Sequence, residues 1–597
     1  MVQKYGKVLN YQNNSVYLHA INCYYTFLSM RKIAIGAALL LTMNLQAQNF
    51  ETATQAISNM GVGWNLGNTL DAHNGQRMTD VVKSETTWGQ PVTQRSLMEM
   101  LRQAGFGAVR VPVTWYPHMD SNGRVDAQWM KRVREVVDYV VGSGLYCILN
   151  VHHDTGADSD THQSWLKANG TTYAQQRSRY EGLWKQIAEE FRDYDQHLLF
   201  ESYNEMLDRY NSWCFASYAS PARYVAADAA DAYQAINNYA QSFVDVVRAT
   251  GGNNAQRNLV VNTYGACSGA GTWNAHLKEP LQQMKLPADN IEGHLAFQVH
   301  SYPNVRNLAS MRTEMADMFS ALKTHLADKG APVIIGEWGT ANDGENDYVV
   351  RRQNVLSFAD YFVSQAKAYG FATFWWMGIS DGSSRSIPVF TQPDLAQTIL
   401  QAWYGSDYKP VLPTVDDYDM TYTVNYTGQW QELNLCNFEF SLSDYKAIRL
   451  ELGQLPKSGC LSIKVYGESD GKEQYSNLPQ ALSTTLTLNR STLGSKVRRI
   501  TLQYGQTANY SIEVKGATLI KTDGTEVATA VTPFWGCTID VHATKKATGI
   551  DFVAAPGQEK SINASGDDNV YNLSGQRVAT PLHPGVYISR SRKFVIK

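Results

Sequence analysis

The chain has 597 residues, and 52 Lys and Arg against 55 Asp and Glu leave a formal charge of −3 at pH 7. That length exceeds one ordinary domain, the near-even charge without a dense basic run excludes a nucleic-acid partner, and seven Cys in such a length exclude a disulfide scaffold. Only 18% of residues are charged while 14 are Trp and 34 are Tyr, and flat aromatic faces with neutral polar groups suit a neutral, polyhydroxylated partner.

The first element is a leader. Arg31 and Lys32 precede IAIGAALLLTMNLQA, a basic start, a short apolar run and a small residue at Ala47, which is the layout of a signal peptide over 30–47 and too short for a lasting membrane anchor. It begins at Met30, so residues 1–29 are expected to be a mis-assigned upstream extension. The mature chain then has no transmembrane anchor and six Cys, whose pairing the sequence leaves open.

From 50 to 405, short apolar runs alternate with amphipathic stretches. The runs start at Gly61, Gly107, Leu145, His197, Arg257, Leu295, Pro332 and Phe371, and intervening segments such as VTQRSLMEMLRQAG and QNVLSFADYFVSQAKAYG repeat apolar residues at helical spacing and end on Gly. Eight such units predict an α/β fold, a (β/α)8 TIM barrel, with a doubly wound open sheet as the alternative. In a barrel, chemistry collects where strands end, and there the sequence places Asn65, Arg110, His152, Asn204, Glu205, His300, Tyr302, Glu337 and the pair Trp375–Trp376.

Glu205 is expected at the end of the fourth strand and Glu337 at the end of the seventh, facing each other across the mouth. Two carboxyl groups in different protonation states are what glycosidic hydrolysis requires. Arg110 is placed to hold Glu337 ionised. His152 and His153 are expected to point to opposite faces of a strand, so that they cannot share a metal ion and instead form hydrogen bonds. His300 and Tyr302, two apart, share a face. No G-x-S-x-G elbow, Walker A loop or metal-spaced Cys set occurs, so neither a metal nor a cofactor is expected.

The segments WNLGNTLDA, ETTWGQPVT, VRVPVTW, LNVHHD, ESYNE, QVHSY, IIGEWG and FWWMG together resemble glycoside hydrolase family 5, in particular its endo-β-1,4-glucanase and xyloglucanase branch. The resemblance implies that Glu205 is the general acid/base and Glu337 the nucleophile of a retaining enzyme, with Arg110, His152, His153, Asn204, His300, Tyr302, Trp376 and Asn65 supporting or contacting substrate. Met206 stands where the family commonly has Pro, and Met377–Gly378 replaces its Asp-Asn after the last tryptophan.

After DYKPVLPTVDDYD the pattern changes to alternating strands such as MTYTVNY, CLSIKVYG and RRITLQYG, predicting a β-sandwich over 414–545. It resembles carbohydrate-binding jelly rolls in position and texture, with a structural spacer as the alternative, and one or both of its Trp430 and Trp535 are expected in the core. Residues 546–597 predict a small antiparallel β unit resembling the C-terminal sorting domains of type IX secretion, which implies a secreted or cell-surface protein of a Gram-negative bacterium, with the periplasm as the alternative. The function expected is a monomeric endo-β-1,4-glucanase acting on β-glucan. A xyloglucanase, mixed-linkage glucanase or mannanase is the near alternative, and a non-catalytic glycan-binding protein the distant one.

Overall fold

The structure, a computed structural model, describes residues 50–218, 223–341, 345, 347–436, 438–529 and 531–546, and the backbone of four short strands between 570 and 596. Chain contacts separate Met1–Glu51 from Thr52–Lys597. The expected leader and upstream extension lie outside the described residues.

Eight strands, β1 (Val62–Asn65), β2 (Ala108–Val111), β3 (Tyr146–Asn150), β4 (Leu198–Glu201), β5 (Leu259–Cys267), β6 (Leu295–Ser301), β7 (Val333–Trp338) and β8 (Ala372–Trp375), form a closed barrel. All neighbours are parallel, and β8 returns to β1 through Trp375↔Trp64, so the doubly wound alternative is excluded. Helices fill the intervals where the apolar spacing placed them. Arg95–Ala104 and Tyr348–Tyr369 both stop on left-handed glycines, Gly105 and Gly370, because glycine tolerates that conformation without a Cβ penalty. Ala127–Gly142 starts at Asp126, whose carboxylate accepts the N–H groups of Gln128 and Trp129.

The inward side chains explain where chemistry can occur. Ala108, Ile148, Leu199, Val260, Ala296, Ile334 and Ala372 form one apolar cluster with Ala53, Ala56, Ile57 and Met60 of the helix Ala53–Met60, which closes the N-terminal end of the barrel. Two residues onward the period of a strand brings the same face round again, and the inward positions become Arg110, Asn150, Glu201, Asn262 and Gln298, all fully buried. The interior therefore passes from an apolar floor to a polar upper layer within one step of the pleat.

The second body is a β-sandwich. One sheet runs β14 (Glu473–Asn477), β13 (Leu461–Gly467), β16 (Lys496–Tyr504), β10 (Glu432–Cys436), β19 (Thr532–Trp535), with β11 (Phe440–Ser441) on β16. The other runs β15 (Ser483–Thr487), β12 (Tyr445–Leu452), β17 (Tyr510–Lys521), β9 (Tyr418–Tyr426), β20 (Thr538–Lys545), with β18 (Glu526–Thr529) on β17. Inward residues such as Val424, Leu433, Ile448, Ile463, Ile500 and Leu519 make its core. Trp430 and Trp535 are not in it: they are 51% and 62% exposed, because Trp430 sits at the turn before β10 in a left-handed conformation and Trp535 ends an edge strand. The backbone of β21 (Val570–Asn572), β22 (Arg577–Val578), β23 (Gly585–Ser589) and β24 (Arg592–Ile596) forms an antiparallel sheet. Cys147, Cys214, Cys267, Cys436, Cys460 and Cys537 are free thiols, and among the described residues no helix is long and apolar enough to cross a membrane.

Candidate active site

Arg110 organises the mouth of the barrel. Its Nε and Nη2 donate to the two oxygens of Glu201 at 2.6 and 2.8 Å, Nη2 also to Asn204 Oδ1 at 2.8 Å, and Nη1 to Glu337 Oε1 at 2.6 Å and Asn65 Oδ1 at 3.0 Å. Asn65 is itself fixed by donating to Gly336 O at 2.9 Å. Burial works against the guanidinium charge, but Glu201 and Glu337 outweigh it and raise the group above its ordinary pKa. For Glu201, too, burial alone would favour the neutral acid, yet the charge and hydrogen bonds of Arg110 and the amide of Asn150 hold the carboxyl below its usual range.

Glu205 and Glu337 are brought together, Glu337 at the end of β7 as expected and Glu205 by a different route. Glu337 lies within β7, but β4 stops at Glu201, and Glu205 stands four residues beyond it in the following loop. A carboxylate oxygen of each and a ring nitrogen of His300 all lie within 4.8 Å of one another. His300 Nδ1 is 2.9 Å from Glu205 Oε1 and 3.6 Å from Glu337 Oε2, and Tyr302 Oη donates to Glu337 Oε2 at 2.8 Å. Burial raises the Glu205 carboxyl to about 7, with Arg110 opposing and Glu201 reinforcing the shift. Burial also lowers His300 to about 4, so at neutral pH this imidazole is uncharged. The Glu205 proton and the neutral ring thus share one short contact.

His152 follows β3, with Nδ1 3.0 Å from the Asn150 amide and Nε2 3.9 Å from Glu337 Oε1. The expectation that His152 and His153 point apart fails, because β3 ends at Asn150 and strand alternation no longer governs the two residues. Their rings meet edge to face at 4.5 Å, and together with Asp71 they offer ligand atoms within 4.8 Å of one another. Among the described residues this set and that of Glu205, His300 and Glu337 are the two donor sets that could converge on a cation, and each has a carboxylate already engaged within the protein: Asp71 accepts the N–H groups of Asn68 and Thr69 at 3.0 and 2.8 Å, and Glu337 is paired with Arg110.

Beyond β8, Trp376 faces the mouth with its ring within 4° of parallel to His152, whereas Trp375 turns away and packs edge-on against Trp338 at 4.8 Å. A Cβ on Gly67 would fall 2.8 Å from the Trp376 ring, which is why glycine is needed there. The tryptophan excess therefore divides: Trp64, Trp115, Trp129, Trp184 and Trp338 are fully buried core, and the rim carries exposed Trp88 on the loop after β1, Trp213 after β4 and Trp273 after β5.

An arginine-bridged layer, two converging glutamates and a rim of indoles at the C-terminal end of a barrel agree with a comparison of the sequence: residues 71–382 match the family described as Cellulase (glycosyl hydrolase family 5). The chain belongs to glycosyl hydrolase family 5. Among family relatives it is similar to Endoglucanase A of Clostridium longisporum, 32% identical over 62% of this chain and 67% of that protein. It is also similar to Endoglucanase 1 of Ruminococcus albus, 30% identical over 62% of this chain and 82% of that one. Two solved family 5 structures align with the barrel. One is a GH5-4 broad specificity endoglucanase from an uncultured bacterium, 56% identical with TM-score 0.59, covering 61% of this chain and 98% of the other. The second is a Prevotella bryantii enzyme in complex with a xyloglucan tetradecasaccharide, 43% identical with TM-score 0.54, covering 59% and 99%.

Sequence reasoning missed one member of this family 5 site, Glu201, and with it Asn150 and Asn262, which donate to Glu201 Oε1 at 3.1 and 3.2 Å. The signal was present: Glu201 is two residues after the inward Leu199, so parity alone directs its side chain at Arg110.

Proposed function

We propose that this family 5 chain is a retaining endo-β-1,4-glucanase in which Glu337 is the nucleophile and Glu205 the general acid/base. The observation that carries the mechanism is the approach of the two carboxyl groups to within 4.8 Å, which fits the roughly 5 to 5.5 Å of double displacement and leaves no room for the water that inversion places between groups about 6.5 to 9.5 Å apart. Glu337, held by Arg110 and oriented by Tyr302, attacks the anomeric carbon while Glu205 gives its proton to the departing glycosidic oxygen. Glu205, now a carboxylate, takes a proton from water, which hydrolyses the glycosyl ester and releases Glu337. The leaving part of the chain lies on the Glu205 side, between Trp213 and Trp273, and the retained part on the side of Trp88 and Trp376.

This assignment has a pH signature. Glu205 works in its acid form, and its raised pKa keeps it protonated up to about 7, so kcat/KM on a soluble β-glucan should fall tenfold per unit above roughly pH 7. An alkaline limb near pH 4.5 would contradict the shift.

The choice of glucan is tested by assaying carboxymethylcellulose, xyloglucan, lichenan and glucomannan in parallel. The names of the similar endoglucanases and the xyloglucan held by the Prevotella bryantii enzyme support β-1,4-glucan backbones, with release expected from the first three. No release from any of the four would favour the non-catalytic glycan-binding alternative. The Arg31–Ala47 layout and the tail pattern support export to the outside of the cell, which fractionation of the native host tests: activity confined to the cytosol would contradict it.

A further inference from the structure

The outer face of the sheet β14-β13-β16-β10-β19 is built unlike the face of a spacer. Glu432, only 3% exposed, accepts from Tyr466 Oη at 2.7 Å, Thr501 Oγ1 at 2.8 Å and Gln503 Nε2 at 2.7 Å. Lys464 Nζ stands 3.9 Å from Glu432 and 3.6 Å from Glu473, and lies over the rings of Tyr466 and Tyr475. The guanidinium of Arg499 lies 3.8 Å above the Phe534 ring. The charges of Lys464, Glu432 and Glu473 are thus paired off among themselves and Arg499 is held against a ring, and what else faces outward is aromatic and neutral-polar: Phe534 is 40%, Tyr475 54% and Trp535 62% exposed. Flat rings beside fixed hydrogen-bonding groups are the chemistry that recognises sugar rings and their hydroxyls, and neither an apolar protein partner nor an ionic ligand is matched as well.

The sheet is also packed against the barrel next to the cleft, through buried Arg385 and Thr532. Trp376 lies against Gly67, whose carbonyl accepts from Arg385 Nη1 at 2.7 Å. Arg385 closes the turn Gly382–Arg385 after β8, and at its other end Gly382 is in contact with Thr532, where a Cβ would come within 2.6 Å of Thr532 Cγ2. Thr532 opens β19, the strand that presents Phe534 and Trp535. An ion pair between Arg351 and Glu439 fixes the two bodies a second time. The contact is made on the β1 and β8 side of the mouth, away from the β4 and β5 loops that flank Glu205.

We propose that this sheet face, at Phe534, Trp535, Tyr466 and Gln503, binds the retained, glycone-side stretch of the same β-glucan chain that is cut between Glu205 and Glu337. The proposal rests on the hydrolase reading above, and it makes the sandwich an extension of the cleft instead of an independent anchor or a spacer. Both aromatic side chains to be tested are exposed, so their removal opens no core.

The test uses the full chain with Trp535→Ala and with Phe534→Ala combined with Trp535→Ala. Kinetics are measured on carboxymethylcellulose and on 4-nitrophenyl β-cellobioside, and mobility is measured in native gels with and without embedded carboxymethylcellulose. The expected result is a KM for the polymer raised about fivefold to tenfold in the double variant, an unchanged kcat/KM on the cellobioside, which is too short to leave the cleft, and loss of retardation in the polymer gel. Unchanged polymer KM and unchanged retardation would overturn the proposal, as would equal losses on both substrates, which would indicate a fold-wide effect. If the unmodified chain hydrolyses neither substrate, the hydrolase reading fails separately, and the retardation comparison still decides for or against the sheet face.

Discussion

Glu337→Gln should lower kcat on every hydrolysed β-glucan by roughly 10,000-fold or more, the scale seen when a covalent nucleophile is removed. The amide is nearly isosteric, and its oxygen can still accept from Arg110 Nη1, which contacts Glu337 Oε1 at 2.6 Å in the unaltered chain. Binding and folding are therefore expected to change little, and KM should stay within a few-fold. What disappears is the charge and lone pair that attack the anomeric carbon. Glu337→Ala, by vacating the space, should admit azide and recover part of the lost rate on an activated aryl cellobioside, giving the α-glycosyl azide because a small anion then attacks from the face the carboxylate occupied. Turnover in Glu337→Gln within tenfold of the unaltered chain would contradict the assignment.

The second large effect falls on stability as well as rate. Arg110 and Glu201 are both fully buried, and Glu337 is 6% exposed. Arg110→Met removes one cation and strands two carboxylates, and leaving a buried charge without its partner costs about 3–5 kcal/mol. The denaturation midpoint of the barrel should fall accordingly, and activity with it, because Glu337 would lose the guanidinium that holds its Oε1 in place at 2.6 Å. Glu201→Gln separates the two consequences. It keeps the shape and Glu337's partner but removes a negative charge that raises Glu205, so the alkaline limb of kcat/KM should move to lower pH while Glu337 still acts. A stability loss below about 1 kcal/mol in Arg110→Met, or an unmoved limb in Glu201→Gln, would mean that the Arg110 bridge does not tune the site.

Much of this was legible in residue order. Seven of the eight strands lie within their apolar runs, because parallel barrel strands are buried on both faces and read as continuous apolar segments, and β5 runs on to Cys267, four residues past RNLVVNT. Glu205 and Glu337 were visible because a carboxylate at the end of such a run has no structural reason to be there. What the sequence hid depends on where strands stop. β3 ends one residue before Val151 and β4 ends at Glu201, so alternation misplaced His153 and put Glu205 on a strand that had already given way to a loop. Trp430 and Trp535 were hidden for another reason: apolar alternation in a sandwich marks the inward positions, and an indole on a turn or an edge strand carries the same letter as one in the core. Their exposure came from the left-handed turn at Trp430 and the register of β19 on β10, which pairs Trp535 with Glu432.

The central claim is that a sugar is carried on Glu337 between two displacements. Incubating the chain with 2,4-dinitrophenyl 2-deoxy-2-fluoro-β-cellobioside, whose fluorine slows both steps and whose leaving group keeps the first one fast, and then sequencing the peptides by mass spectrometry tests it directly. The account predicts stoichiometric addition of one fluorocellobiosyl group, on Glu337 alone. A label on Glu205 or Glu201, or turnover of the cellobioside without any adduct, would contradict it.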